Sequence, residues 1–73
     1  MKKNVRGPYA TPVIFSSRED LCLDDRLDDR LQGVFYVGEL ALVLAVSKRY
    51  GTILVFSGEQ LGWIAKQYVV IVT

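Results

Sequence analysis

Carboxylates concentrated in one short segment are the side chains of this chain with the greatest chemical potential. Six of the eight acidic residues fall between Glu19 and Arg30. They are Glu19, Asp20, Asp24, Asp25, Asp28 and Asp29. Carboxylate oxygens can bind a divalent cation, take part in acid–base catalysis or attract a cationic partner. The segment from Glu19 to Arg30 is therefore the first candidate for a functional site in this chain.

A metal site and an active site are both disfavoured by the residues around these carboxylates. The segment lacks the ligand order and turn glycine of an EF-hand, and Arg26 and Arg30 compete for the same oxygens. The chain has no His, the usual base for a Ser or Cys nucleophile, and neighbouring acids raise the pKa of Cys22. We therefore expect no enzymatic activity, no cofactor and no bound metal.

Aromatic and basic residues provide a second set of side chains that suit binding. The aromatic members are Tyr50, Trp63 and Tyr68, and the basic members are Lys48, Arg49 and Lys66. Rings beside cationic groups form stacking platforms in proteins that bind single-stranded nucleic acid. Aromatic residues on short strands are also common as half-buried packing residues, so both interpretations stay open.

Length and charge limit what the chain can be. Its 73 residues form one domain with a small core, and the net charge of +1 selects neither nucleic acid nor a membrane. Cys22 is the single cysteine, so no internal disulfide forms. The longest apolar run, Leu40 to Val46, is too short to cross a bilayer as a helix. We expect a cytoplasmic protein that makes no membrane contact.

The first half of the chain is predicted to hold an arm, a strand and an acidic insertion. Residues 1–10 are predicted to be a flexible basic arm, and residues 11–73 the folded domain. A first strand is expected over Pro12 to Phe15. At 17–31 leucines recur every fourth residue, which favours a short helix, whereas like charges at i,i+4 favour an ordered acidic loop.

The second half of the chain is typical of consecutive β-strands joined by glycine turns. Leu40 to Val46 is apolar at both alternating sets of positions, which predicts a central strand covered on both faces. Gly58 suits a turn that requires a positive φ. About five short strands with tight turns predict an all-β barrel, because closure removes exposed edges.

Two stretches of sequence resemble SH3-like domains, most closely those of bacteria and phages. Phe35-Tyr36-Val37-Gly38-Glu39-Leu40 is similar to the SH3 segment in which a Gly-acid diverging turn precedes a strand. Leu61-Gly62-Trp63-Ile64 followed by Tyr68-Val69 is similar to the SH3 ending, with a 3₁₀ turn at Ala65 to Gln67. The resemblance covers residues 12–72 and implies a five-stranded SH3-like barrel.

On this resemblance the acidic residues belong to the equivalent of the RT loop, at 16–32, which pairs with a basic ligand residue in SH3 domains. The groove that binds proline-rich peptides is mostly replaced, since Thr52 and Ile53 stand at the paired-Trp position and Ala65 replaces a proline. The resemblance therefore implies the fold without PxxP recognition.

These observations predict a non-catalytic module that binds a basic protein partner. The expected contacts are the six acidic residues, with Tyr36, Trp63 and Tyr68 as a second group. Two alternatives remain: a nucleic-acid-associated barrel that uses Lys48, Arg49 and Lys66, and a structural subunit that self-associates through its apolar strands.

Overall fold

The computed structural model describes residues 11–72, apart from the side chains of Leu31 and Gln32. The predicted arm at 1–10 lies outside the described residues. In order along the chain, the strands are β1 (Thr11–Phe15), β2 (Glu19–Cys22), β3 (Arg30–Phe35), β4 (Leu40–Ser47), β5 (Thr52–Ser57), β6 (Gln60–Ala65) and β7 (Val69–Ile71), with a 3₁₀ helix at Lys66–Tyr68 before β7. The all-β prediction is confirmed.

All seven strands belong to one antiparallel sheet that curls into a half-barrel. Across the sheet the order is β3-β2-β6-β5-β4-β1-β7. The described residues thus form seven strands where five were predicted. The additional strands arise because the acidic segment is itself a hairpin, in which β2 and β3 pair around the loop 23–29.

No helix forms within the acidic segment, so the helical alternative for residues 17–31 is wrong. Leu23 is 61% exposed, and Leu31 lies in β3, so the leucines do not form one buried helical face. The repulsion between like charges at i,i+4 acts against the helix, whereas pairing with β3 satisfies the backbone of β2. The ordered-loop alternative holds for residues 23–29.

The core fills the concave side of the curled sheet. It contains Val13, Phe15, Leu21, Phe35, Ala41, Val43, Ile53, Val55 and Ile64. At its centre the rings of Phe15 and Phe35 stack with centroids 4.6 Å apart. Offset stacking of this kind adds to the stability that burial of the two rings already provides.

Strand β4 departs from its prediction in two ways. Leu40, Leu42 and Leu44 are 59%, 41% and 40% exposed, so the strand is covered on one face only. The register with β5 shifts between Val43 and Ala45, which makes Leu44 the extra residue of a β-bulge. The strict alternation of side chains therefore breaks at Leu44, and β5 rather than β4 is the middle strand of the sheet.

The tight turns use glycine where the backbone requires it. Gly38, in the turn before β4, has φ 87°, and Gly58, between β5 and β6, has φ 60°. Both values lie in the left-handed region that residues with a Cβ rarely occupy. The prediction that Gly58 supplies a positive φ is confirmed.

Candidate functional site

The acidic residues lie on one hairpin, which we call the acidic arm and define as residues 19–30. The loop of the arm is held by its own hydrogen bonds. The amide of Leu23 donates to the carbonyl of Asp29 at 2.7 Å, and the amide of Leu27 donates to the carbonyl of Asp24 at 3.1 Å. The amide of Asp28 also donates to Asp24 Oδ1 at 3.1 Å. The carboxylates are thus displayed on an ordered backbone.

One contact ties the loop of the acidic arm to the rest of the sheet. Thr52, the first residue of β5, donates its hydroxyl hydrogen to the carbonyl oxygen of Asp25 at 2.7 Å. Thr52 is only 2% exposed, so this bond lies in a partly buried place. The residue at the predicted paired-Trp position therefore anchors the loop, which the sequence alone did not indicate.

The arginines of the acidic arm neutralise part of its charge. Arg26 lies 3.7 Å from Asp24 Oδ2 and 3.4 Å from Asp28 Oδ2, and Arg30 Nη1 lies 2.9 Å from Asp20 Oδ2. All three pairs are partly exposed and are therefore weak. Six carboxylates and two guanidinium groups leave the arm with a net charge of −4. Each of these carboxylates can exchange its arginine for a cation from another molecule.

A hollow of about 120 Å³ lies between the acidic arm and the end of β6. Its lining residues are Glu19, Asp20, Cys22, Leu27, Arg30, Ile64 and Ala65. The acidic residues Glu19 and Asp20 and the basic residue Arg30 therefore border a mostly polar hollow. Two acidic residues at its border attract a cation, so this hollow suits the charged head of a lysine or arginine side chain.

Cys22 lines the same hollow but has an unreactive environment. The residue is 5% exposed, and burial raises the pKa of its thiol. The nearby carboxylates Asp20, Asp24 and Asp28 raise this pKa further, whereas Arg30 lowers it. The direction expected from the sequence is confirmed, although burial rather than the acids is the leading cause. A neutral thiol is a poor nucleophile.

Tyr36, Trp63 and Tyr68 do not form one aromatic cluster. Among residues 11–72 none of the three rings stacks on another. Tyr36 is 58% exposed in the turn before β4, whereas Trp63 is paired with Leu54 across the β5–β6 ladder. Tyr68 ends the 3₁₀ helix, and its carbonyl accepts hydrogen bonds from Ser16 N and Oγ, both at 2.9 Å. The three rings therefore do not form one stacked group.

The structure brings the three basic residues of the alternative site to one end of the sheet. Lys48 and Arg49 are exposed in the β4–β5 turn, and the amide of Lys66 donates to the carbonyl of Gly51 in that turn at 3.2 Å. The guanidinium of Arg49 lies 5.4 Å from the centre of the Tyr50 ring. A cation beside a half-exposed ring is thus present at this end.

A second hollow has a volume of about 470 Å³ and lies at one end of the core. Its lining residues are Thr11, Val13, Val43, Val46, Ile53, Lys66, Val69 and Ile71. Its wall is almost wholly apolar, and Lys66 is its one charged lining residue. The hollow can take an apolar group but does not assemble the polar side chains that catalysis requires.

Within residues 11–72, no three side chains of His, Cys, Asp or Glu come together in a way that could hold a metal ion. No helix in this part of the chain has the length and apolar character needed to cross a membrane. Comparison of the chain with protein-family models, curated proteins and solved structures found no match.

Sequence reasoning identified the acidic arm but missed two features of the surface. It did not indicate the hollow beside the arm, because Ile64 and Ala65 reach Glu19 only when β2 pairs with β6. It also treated the leucines of β4 as covered. One feature of the sequence could have indicated the exposed apolar surface. Strands β1 and β4 to β7 contain no charged residue, so the outer side of these strands is apolar.

Proposed function

We propose that this chain is a non-catalytic protein-interaction module with an SH3-like fold, which binds a basic segment of a partner protein at the acidic arm. The observation that carries the proposal is the mostly polar hollow beside the arm, which Glu19 and Asp20 line. A lysine or arginine of the partner places its charged head in this hollow, beside the two acidic residues.

The order of elements along the chain supports the SH3-like part of the proposal. The acidic arm lies between β1 and β4, where the resemblance expects the RT loop. A turn at Tyr36 to Glu39 precedes β4, and its Gly38 amide donates to the carbonyl of Phe15 at 2.8 Å. The 3₁₀ helix at Lys66–Tyr68 then leads into the last strand, as in the SH3 ending.

The ion pair between Arg30 and Asp20 supports a competition between Arg30 and the partner's cation for the Asp20 carboxylate. The side chain of Arg30 is 73% exposed, so little packing holds it beside Asp20. A cationic side chain that enters the hollow replaces Arg30 as the partner of the carboxylate. Binding therefore exchanges one exposed ion pair for a more enclosed one, in which the attraction is less screened by water.

A charge-removal experiment tests the proposal. A fluorescent peptide of alternating arginine and alanine is titrated with the protein in about 50 mM salt, a low-salt condition with little screening. The double variant Glu19→Gln, Asp20→Asn is expected to bind about tenfold more weakly, since two carboxylates are lost. The matched control is Glu59→Gln, which removes an exposed carboxylate from the β5–β6 turn and should leave affinity unchanged.

A second variant is expected to change the peptide affinity in the opposite direction. Arg30→Gln removes the internal competitor for Asp20 and is expected to increase peptide affinity about threefold. Circular dichroism verifies that every variant is folded. Equal loss of affinity in the double variant and in Glu59→Gln would show a non-specific charge effect. Affinity that does not change with ionic strength would also contradict the proposal.

Nucleic-acid binding is the second candidate function, and one observation favours it. The turn that holds Lys48 and Arg49 is hydrogen-bonded to the 3₁₀ helix that holds Lys66, so the three cations share one end of the sheet. Single-stranded DNA is expected to bind here with a strong salt dependence and with Tyr50 as a stacking ring. Charge reversal at Lys48 and Arg49 that leaves DNA retention unchanged would exclude this site.

A further inference from the structure

Six exposed apolar side chains form a continuous surface on the convex side of the sheet. We call this surface the outer apolar face, and its residues are Ile14, Leu40, Leu42, Phe56, Leu61 and Val70. Each of them is between 37% and 60% exposed. Single exposed apolar residues are ordinary, but a connected group of this kind is informative about function.

The strand register makes the outer apolar face continuous. Ile14 of β1 stands opposite both Leu40 of β4 and Val70 of β7. In the adjacent row of residue pairs, Phe56 of β5 stands opposite Leu42 of β4 and Leu61 of β6. Directly opposed residues place their Cβ atoms about 5 Å apart, so their side chains touch or nearly touch. The face therefore extends across five strands.

The area of this face approaches that of a protein–protein interface. At the observed exposures the six residues present on the order of 500 Å², the size of the largest apolar patch on a typical monomer. A stable interface buries roughly 800 Å² on each partner, so the six residues provide more than half of that area. A hollow of about 320 Å³ between Leu42, Phe56 and Gly58 forms a depression in this face, into which a side chain of the partner can insert.

The distribution of charged residues indicates which kind of surface can bind to the outer apolar face. Strands β1 and β4 to β7 contain no Asp, Glu, Lys or Arg, so the face offers no ionic group to attract a charged partner. The partner surface must therefore also be uncharged. A second copy of this chain carries such a surface. The net charge of +1 adds little repulsion between two copies.

We propose that two copies of this chain associate through the outer apolar face as a two-fold symmetric dimer. The Leu42–Phe56 pair lies near the middle of the interface, and Phe56 of each copy enters the hollow of the other. The two sheets pack face to face, as in a β-sandwich. The dimer does not depend on the basic-peptide function proposed above, because the acidic arm contributes no residue to the face.

Mass in solution tests the proposal. Light scattering coupled to size exclusion is expected to give twice the chain mass of 8.2 kDa at about 100 μM, a concentration at which a micromolar dimer is populated. Leu42→Lys brings like charges together at the two-fold axis and should reduce the mass to that of one chain. Leu23→Lys is the matched control, since Leu23 is 61% exposed on the acidic arm and its change should leave the dimer intact.

Disulfide trapping locates the interface. Leu42→Cys is expected to form a covalent dimer under mild oxidation, whereas Leu23→Cys and the native chain, whose Cys22 is buried, should not. Trapping should persist when Glu19 and Asp20 are neutralised, which separates this test from that of peptide binding. A native chain that remains at one chain mass at 1 mM, or a Leu42→Lys variant that remains dimeric, would overturn the proposal.

Discussion

Thr52 and Asp25 are joined by a 2.7 Å hydrogen bond, although they are 27 residues apart in the sequence. The bond runs from the buried hydroxyl at the start of β5 to a main-chain carbonyl in the loop of the acidic arm. It fixes the position of the charged loop against the sheet. If a basic partner binds as proposed, the loop is already ordered when it arrives, which reduces the entropy lost on binding.

Removal of this bond is expected to loosen the acidic arm. Thr52→Val keeps the shape of the side chain but removes the donor, and should lower the free energy of unfolding by about 1 kcal/mol. Hydrogen exchange at the amides of Leu23, Leu27 and Asp28 should accelerate, because the loop loses its external anchor. Thr52→Ser keeps the donor and is the control. Equal exchange in both variants would show that the bond does not order the loop.

The stacked ring pair is expected to dominate the stability of the core. Phe35 is 0% exposed and lies 4.6 Å from the ring of Phe15, so Phe35→Ala should lower the free energy of unfolding by about 3 to 5 kcal/mol. In a domain of this size that loss leaves much of the population unfolded. Tyr36→Ala, at a neighbouring exposed position, should change stability by less than about 0.5 kcal/mol. Urea denaturation of both variants measures the difference.

Gly62 is expected to tolerate no side chain. A Cβ at this position would lie 2.6 Å from the Cβ of Leu21 and 2.9 Å from its Cγ, so β2 and β6 would have to separate. Gly62→Ala should therefore lower the free energy of unfolding by about 1 to 3 kcal/mol. Gly33→Ala is the comparison, because its Cβ meets chiefly the flexible end of Gln60, which can move. In thermal denaturation, the melting temperature of Gly62→Ala should lie well below that of Gly33→Ala.

Cys22 is expected to make stability fall at alkaline pH. Its folded-state pKa is raised above the ordinary value of 9.0, so the folded protein retains the thiol proton when the unfolded chain has begun to lose it. The contribution of the Cys22 thiol to the free energy of unfolding is fully present below about pH 9. It is lost as the pH rises through the raised pKa. Cys22→Ala should show a smaller decrease in melting temperature between pH 8 and pH 10.5. An identical pH dependence in both proteins would contradict the raised pKa.

The sequence by itself determined the all-β class, the glycine turns and the concentration of carboxylates between Glu19 and Arg30. These features depend on local preferences, since alternating apolar residues favour strands and Gly58 favours a positive φ wherever they occur. The resemblance to the SH3 ending anticipated a 3₁₀ turn, which the structure places at Lys66–Tyr68, one residue later than the predicted Ala65 to Gln67.

Only the tertiary structure decided which of these residues act together. The repeat of leucines at 23, 27 and 31 fits a helix, but pairing of β2 with β3 and β6 satisfies the backbone as a hairpin and spreads the leucines apart. Likewise, the apolar run of β4 gives no sign of which face is covered, because that depends on the curl of the sheet and on the bulge at Leu44. The hollow beside the acidic arm and the outer apolar face arise from contacts between distant strands, and such long-range contacts are not encoded in any local pattern of residues.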